Sequence, residues 1–481
     1  MPAALTAAAR YPQRLARYTT ALRNEQPDRV PLRPFVAEFT GVHAGYTCQQ
    51  MAHQYPLAFE AACRCAADFD WDAVVPNMIA TWTGMTQAMG LKYYLTPGID
   101  LPPNVGHQYL EPPADTAFMQ ADEYDALIDD PTSFLYTTWL PRVTAAIRAP
   151  GLPDAVARDL SLVKGAMAMS QFFSDWTRQE QRLREECGTV AAIAGMLKAP
   201  LDLLADKLRG YVGLAEDLLV RPAQVRAACE ALMPHLEYFA RVTADPQRNV
   251  PIGFWMHRSC VPLISFKHFN EIGWPTLKPI IQELWAHGHQ TLFYAEGNWD
   301  HHLDAFAELP DRSIVYHVDR GDLAKAHRVF GHKFCLSGGI PNTLLSFGSP
   351  AEVRAACRQA IATAAHDGGY IMDASAIIQN DARVENLRAL TEATLEFGGY
   401  SRGHSTPLPA GGPRPLETDA RPGTFFTPRP DDRRPPGACI PWRDVLPQLP
   451  PITGDPRLCQ QVWESVDALG YFYVWWILLA F

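Results

Sequence analysis

Eight short β-rich runs, separated by longer helix-patterned stretches, most constrain what this chain can fold into. They are Arg29–Phe35, Trp71–Asn77, Leu160–Ala166, Pro251–His257, Thr291–Gly297, Ser313–Asp319, Lys333–Gly339 and Gly369–Ser375, many of them bounded by Pro, Gly or Asp. The intervening segments are amphipathic. Ala351–Ala365, for example, puts Val353, Ala356, Cys357, Ala360 and Ile361 on one face. Strands alternating with helices imply parallel βαβ units, and eight such units close into a (β/α)8 TIM barrel. The longest gaps, after the second and third runs, leave room for extra helices over the barrel mouth.

A chain that is 47% hydrophobic and 20% charged can build a core of that size. Its net charge of −10 argues against a nucleic-acid partner, which needs a basic face. Met1–Arg10 is Ala-rich but too short and polar for a signal peptide, and no 18-residue apolar run could span a membrane. Ten cysteines lie scattered without a CxxC pair, Cys63-Arg64-Cys65 being the nearest spacing, and read as buried, reduced thiols of a cytoplasmic protein.

The texture changes at Ser401, which divides the chain into a barrel over 1–400 and a proline-rich arm over 401–481. Residues 401–456 hold fourteen prolines, a density that propagates neither helix nor sheet. Embedded Phe425, Phe426, Ile440, Trp442 and Leu446 favour an arm wrapped on the barrel over a disordered linker. The closing Gly470–Phe481 (GYFYVWWILLAF) reads as an element docked into a core or a subunit interface, such as that of a homodimer.

Catalytic groups of such barrels sit at the C-terminal strand ends. Reading those positions in turn gives Glu38, Asn77, Lys164, His257, then Tyr294, Glu296, Asn298 and Trp299, then His317 and Asp319, then Gly339, and finally Asp373. Acids, imidazoles and a phenol converging on one mouth suit proton transfer or metal binding. Tyr294 and Glu296, two apart on one strand, share a side. Asp319 and Asp322 also fit as helix caps, and His301 and His302 as solvent-facing residues. There is no Walker loop, GxSxG elbow, HExxH or GxGxxG opening a helix.

The blocks Glu25–Pro31, Phe69–Ala73 with Gln87–Gly90, Ile264-Ser265 with Pro275 and Lys278, Gly338–Pro341 with Leu344-Leu345 and Ser349–Val353, and Val384–Leu387 resemble the uroporphyrinogen decarboxylase superfamily over about residues 20–400. That superfamily also contains the corrinoid-linked methyltransferases. Its true decarboxylases open with an Arg-rich segment and carry an Asp after the second strand. Here Pro31–Gly41 (PLRPFVAEFTG) and Met78–Gln87 (MIATWTGMTQ) show neither. The thiol-directed methyltransferases bind zinc through three positions that align with Tyr294, Glu296 and Ala376, which cannot form that site, so zinc is not expected there.

The resemblance therefore implies a cobalamin (corrinoid)-dependent methyltransferase subunit acting on a small apolar or aromatic methyl donor or acceptor. The DxHxxG cobalamin motif is absent, so the corrinoid is expected on a separate corrinoid-binding protein. Glu296, Tyr294, His257, His317 and Asp319 are the catalytic candidates. Glu38, Asn77, Asn298, Trp299, Gly339 and Asp373 are the substrate-binding ones, with no metal ligand. A decarboxylase or other lyase, or a non-catalytic ligand-binding barrel, is the alternative on the same fold.

Overall fold

The computed structural model describes residues 6–75, 89–90, 94–144, 155–400, 418–426 and 433–480. Its eight strands are β1 (residues 32–36), β2 (Ala73–Val74), β3 (two paired stretches, Val190–Ala191 and Met196–Lys198), β4 (Ile252–Met256), β5 (Thr291–Ala295), β6 (Ile314–Val318), β7 (Cys335–Gly338) and β8 (Tyr370–Ile371). Each pairs in parallel with the next. The circuit closes through β1. Met372 donates its N–H to Pro31 and Arg33 donates to Met372 on one side, while Val75 donates to Pro34 and Val36 to Val75 on the other. This is a closed (β/α)8 barrel.

Seven of the eight expected runs coincide with these strands. The third does not: Leu160–Ala166 lies inside a 28-residue helix, Ala155–Arg182, and the third strand comes later, at 190–198. Lys164 is accordingly an exposed helical residue, away from any strand end.

Helices α1 (Ala7–Leu22), α2 (Tyr55–Asp68), α3 (Ala155–Arg182), α4 (Pro222–Thr243), α5 (Trp274–Ala286), α6 (Leu323–Phe330), α7 (Pro350–Ala364), α8 (Val384–Phe397) and α9 (Pro456–Ala480) complete the frame. Local chemistry sets their ends. Asp322 caps α6 by accepting from the N–H groups of Ala324 and Lys325. Ser349 and Glu352 form a capping box around Pro350 at the start of α7. Beneath the strands, buried Asp72 pairs with Arg14, Arg17 and Arg29 and accepts the Leu32 N–H, tying α1 to β1 and β2. Burial pushes its carboxyl up, but Arg29 and Arg17 outweigh that and hold it below the usual range.

The C-terminal segment is docked. Tyr471 and residues 473–479 are buried in the main core, and α9 packs on α3 and the end of β3. Phe472 stacks on Phe239 of α4 at 4.8 Å and Trp475 on His235 at 4.8 Å, while Trp476 lies tilted against Phe173 at 5.2 Å. His235 also hydrogen-bonds the Tyr471 hydroxyl at 2.8 Å. No helix among the described residues is long and apolar enough to cross a membrane.

Burial drives the His235 imidazole down to about 3, so it is neutral in the folded chain but titrates near 6.5 when unfolded. The unfolded state then binds more protons, and this residue's contribution is present above pH 6.5 and lost as pH falls towards 3. His235→Phe keeps a ring against Trp475 without a titrating group. Melting curves at pH 7 and pH 4.5 are expected to show a steeper acid loss for the parent than for this variant. Parallel losses would contradict the assignment.

Candidate active site

The in-register partners Lys198, Trp255, Tyr294, His317 and Ser337 form one rung across five neighbouring strands, β3 to β7. Parallel partners face the same side, and contacts between these residues place that side inward. Tyr294 stacks on His317 at 4.5 Å and lies 5.5 Å from Trp255, while Lys198 Nζ is 5.7 Å from the Trp255 ring centroid. The rung divides the expected site residues into a buried group and a group facing the mouth.

Tyr294, His317 and Asp373 belong to the sealed barrel interior. His317 Nε2 donates to the Ser375 carbonyl at 2.9 Å, so its Nδ1 lone pair accepts from Ser337 Oγ at 2.9 Å. Burial and the neighbouring Arg33 guanidinium keep the ring neutral. Arg33 donates to Ser337 Oγ at 2.8 Å and pairs with Asp373 at 3.2 Å. Burial raises the Asp373 carboxyl to about 7 against the pull of Arg33. Tyr294 keeps its proton, because burial pushes its phenol well above the ordinary value, and its hydroxyl finds no protein partner. The expectation that these three reach substrate at the mouth is corrected: they lie below it.

The mouth opens into a cavity of about 1260 Å³ whose lining includes Lys198, Asp206, Lys207, Trp255, His257, Arg258, Glu296 and Ala376. Glu296 follows β5 directly. Its backbone N–H donates to Met256 and its Oε2 accepts the Trp255 indole N–H at 2.7 Å. Asp206, 3% exposed, is the electrostatic centre. It lies in a π-helical turn, Leu204–Leu208, that follows β3. Its carboxylate accepts from His257 Nε2 at 3.0 Å, from Arg258 Nε at 3.1 Å and from the Lys198 ammonium.

Burial would raise the Asp206 carboxyl, but His257, Lys198 and Arg258 drive it well below its ordinary range. Burial likewise lowers Lys198, yet Asp206 and Tyr94 raise it above a free lysine. Lys207 goes the other way. Burial and the adjacent Lys198 charge depress its amine well below the usual value. Asp202 holds the loop after β4 by accepting the N–H groups of His257 and Arg258 at 2.9 and 2.7 Å. His257 is thereby oriented, and its Nδ1 has no protein partner.

A short antiparallel hairpin, Tyr94–Leu95 with Gln108–Tyr109, lies over this cluster. The Tyr109 hydroxyl donates to the Asp206 carbonyl at 3.3 Å. The Tyr109 ring lies 4.8 Å from the Arg258 guanidinium, and the Tyr94 ring 5.3 Å from Lys207 Nζ. Buried Glu38 accepts the His107 N–H at 3.2 Å just behind it.

The remaining expected residues do other work. Trp299 is 1% exposed and packs among Phe269, Phe293 and Phe306, with its indole N–H donated to the Glu296 carbonyl. It is a core residue that supports the Glu296 loop, which corrects the substrate-binding expectation. Asn298 is an exposed turn residue accepting the Asp300 N–H. Gly339, at φ +89°, makes the turn after β7 against Leu323. Asp319 accepts the Gly297 N–H at 2.7 Å, and burial raises its carboxyl to about 6. His302 is buried against Phe269 and does not face solvent. Asn77 lies outside the described residues.

Lys198, Asp206, Lys207 and Arg258 escaped the sequence reading. Three of them stand at or just after β3, whose composition hides it in the sequence, and Arg258 directly follows His257. The Lys198–Asp206–Lys207 spacing after a strand was the available signal.

Of the three positions aligned with family zinc ligands, Glu296 and Ala376 line the cavity and Tyr294 lies beneath it. A single carboxylate remains, which does not fit a tetrahedral zinc. Among the described residues, the only grouping of three His, Cys, Asp or Glu side chains spaced to hold an ion is His327, His366 and Asp367, none of which lines the mouth. Elemental analysis of the purified chain is expected to find no stoichiometric, chelator-resistant zinc. About one tightly held Zn²⁺ per chain, lost in a Glu296→Ala variant, would contradict this.

The family model for uroporphyrinogen decarboxylase (URO-D) matches residues 170–397, from within α3 to the end of α8. A solved methyltransferase from Methanosarcina mazei shares the fold at a TM-score of 0.53 and 16% identity, covering 82% of this chain and 99% of its own. No protein of curated function matches the sequence.

Proposed function

We propose, on the premise that residues 170–397 belong to the uroporphyrinogen decarboxylase family, that this chain is the methyltransferase subunit of a corrinoid-dependent system. The observation that carries the reading is a carboxylate and an oriented imidazole, Glu296 and His257, lining one cavity at the C-terminal end of the barrel in place of a zinc site. The likeness to the Methanosarcina mazei methyltransferase, which rests on fold, is consistent with it. A corrinoid on a separate partner protein supplies the methyl-donating or methyl-accepting centre when docked over the mouth.

This chain binds and activates the other reactant. Methyl transfer leaves or consumes charge on the substrate heteroatom, and a fixed proton donor stabilises it. Glu296, held by the Trp255 indole, stands where such a donor is needed. His257 faces Asp206 through Nε2, which leaves Nδ1 as the ring nitrogen without a protein partner and so the one we assign to substrate. Lys198 and Arg258 balance Asp206, while Trp255, Tyr94 and Tyr109 give the cavity aromatic walls suited to an apolar or aromatic substrate.

Visible spectra of the full chain titrated with methyl- and Co(I)-corrinoid test the reading. A saturable spectral shift is expected, unchanged in Glu296→Gln, while methyl-transfer turnover of that variant falls by about 10²–10⁴ with the fold intact, the usual range for a general acid. Turnover within a few-fold of the parent would move the acid role to His257 or Asp319. No spectral shift with either corrinoid would overturn the methyltransferase reading. The lysine and arginine cations at the mouth favour a carboxylate substrate as the second reading, for which release of CO2 is the assay.

A further inference from the structure

The cavity does not end at the mouth. It continues along the outer flank of β3, where Ala191, Ala194 and Gly195 leave its wall low, and reaches a compartment between α3, α4 and α9. That compartment is walled by Phe173 and Trp176 of α3, Phe239 of α4, and Phe472 and Trp476 of α9. Its rings are locked by mutual packing. Phe239 and Phe472 stack at 4.8 Å, and Phe173 lies 5.6 Å from Phe472. A wall built this way is rigid and apolar.

Among the polar side chains that also line this end, Thr177, Gln179, Glu180 and Thr243 among them, Gln179 stands out by its burial. Gln179, three residues after Trp176 on the same face of α3, lines the cavity, is 2% exposed, and neither its amide nitrogen nor its oxygen has a hydrogen-bond partner. A buried carboxamide left unpaired on both sides keeps the full desolvation penalty of each unsatisfied group. Leucine or methionine at 179 would fill the same space without that cost. An amide is retained at such a place with least penalty when a ligand satisfies it. The neighbouring acid, Glu180, accepts the Trp176 indole N–H at 3.0 Å and places a carboxylate at this end, so an anionic ligand is disfavoured there.

We propose that this flank compartment binds an uncharged aromatic molecule bearing a carboxamide or lactam, its carbonyl accepting from Gln179 Nε2 and its N–H donating to Gln179 Oε1. Flat rings suit the aromatic walls, and the reciprocal amide pair satisfies both orphan atoms at once. The site is separate from the chemistry at Glu296 and His257, and holds whether or not the chain transfers methyl groups.

The test uses 4-benzoylbenzamide, an uncharged aromatic amide that cross-links on irradiation, with the full chain and no turnover assay. Saturable labelling is expected, mapped by peptide mass spectrometry to residues 170–182 and 471–480. Gln179→Leu is expected to weaken binding at least ten-fold while raising the melting temperature of the ligand-free chain, because the orphan amide is gone. Gln179→Met serves equally should the leucine variant not fold. Labelling that does not saturate, or that maps elsewhere, overturns the proposal. So does a Gln179 variant that binds the probe as well as the parent and melts lower, which would mean that water or the protein already satisfies the amide.

Discussion

Removing residues 401–481 is expected to make the remaining chain aggregate. The aromatic and aliphatic side chains of α9, from Tyr471 to Leu479, are nearly all within the main core cluster. Each large apolar side chain fully buried contributes about 1.5–3 kcal/mol. Losing several of them exceeds the typical net stability of a domain. What would be uncovered is the aromatic face of α3 and α4, with Phe172, Phe173, Trp176 and Phe239 side by side, and exposed contiguous apolar surface of this kind drives association. Size-exclusion chromatography and soluble yield of a 1–400 chain are the measurements. A monodisperse, folded 1–400 barrel would show that the tail is a passive extension.

Asp206→Asn is the second large effect expected. One carboxylate serves Lys198, His257 and Arg258, and it is buried beneath the Tyr94–Tyr109 hairpin. Breaking a buried ion pair by removing one partner costs about 3–5 kcal/mol, because the remaining charge stays desolvated. Urea unfolding should register that loss, together with strongly reduced activity from a misoriented His257. Adding Lys198→Met to the variant removes the orphaned ammonium and should recover part of the stability, though not the activity. A single variant within about 1 kcal/mol of the parent would mean that solvent, not Asp206, compensates these cations.

Most of the barrel was legible because its strands advertise themselves. Thr291–Ala295 and Ile314–Val318 are dense in β-branched and aromatic residues and follow turn residues. The failure at the third strand has a physical cause. Residues 189–198 read TVAAIAGMLK, with small side chains that cost the run its strand-like composition. Those same residues leave the cavity open on that flank. Leu160–Ala166 looked strand-like only when isolated from the helix that contains it, and length was the better arbiter.

The site was legible in direction but not in depth. Alternation correctly put Tyr294 and Glu296 on one side of β5, yet two residues along a strand separate a sealed interior from an open mouth. Tyr294 fell into the rung with His317 and Ser337, while Glu296 rose above it. Nothing in the local sequence marks where along the barrel axis a side chain ceases to be core. That boundary is set by the neighbouring strands and by the hairpin above.

The docking of α9 against β3 also fixes an order in time. During synthesis at about 5–20 residues per second, the 100 residues between Ile371 of β8 and Tyr471 take roughly 5–20 s to appear. Throughout that interval all eight strands exist, yet the flank of β3 has nothing to cover it. The nascent chain therefore passes through a stage in which the barrel can close while the aromatic face of α3 and α4 is uncovered. Only when α9 has been made can that face be covered.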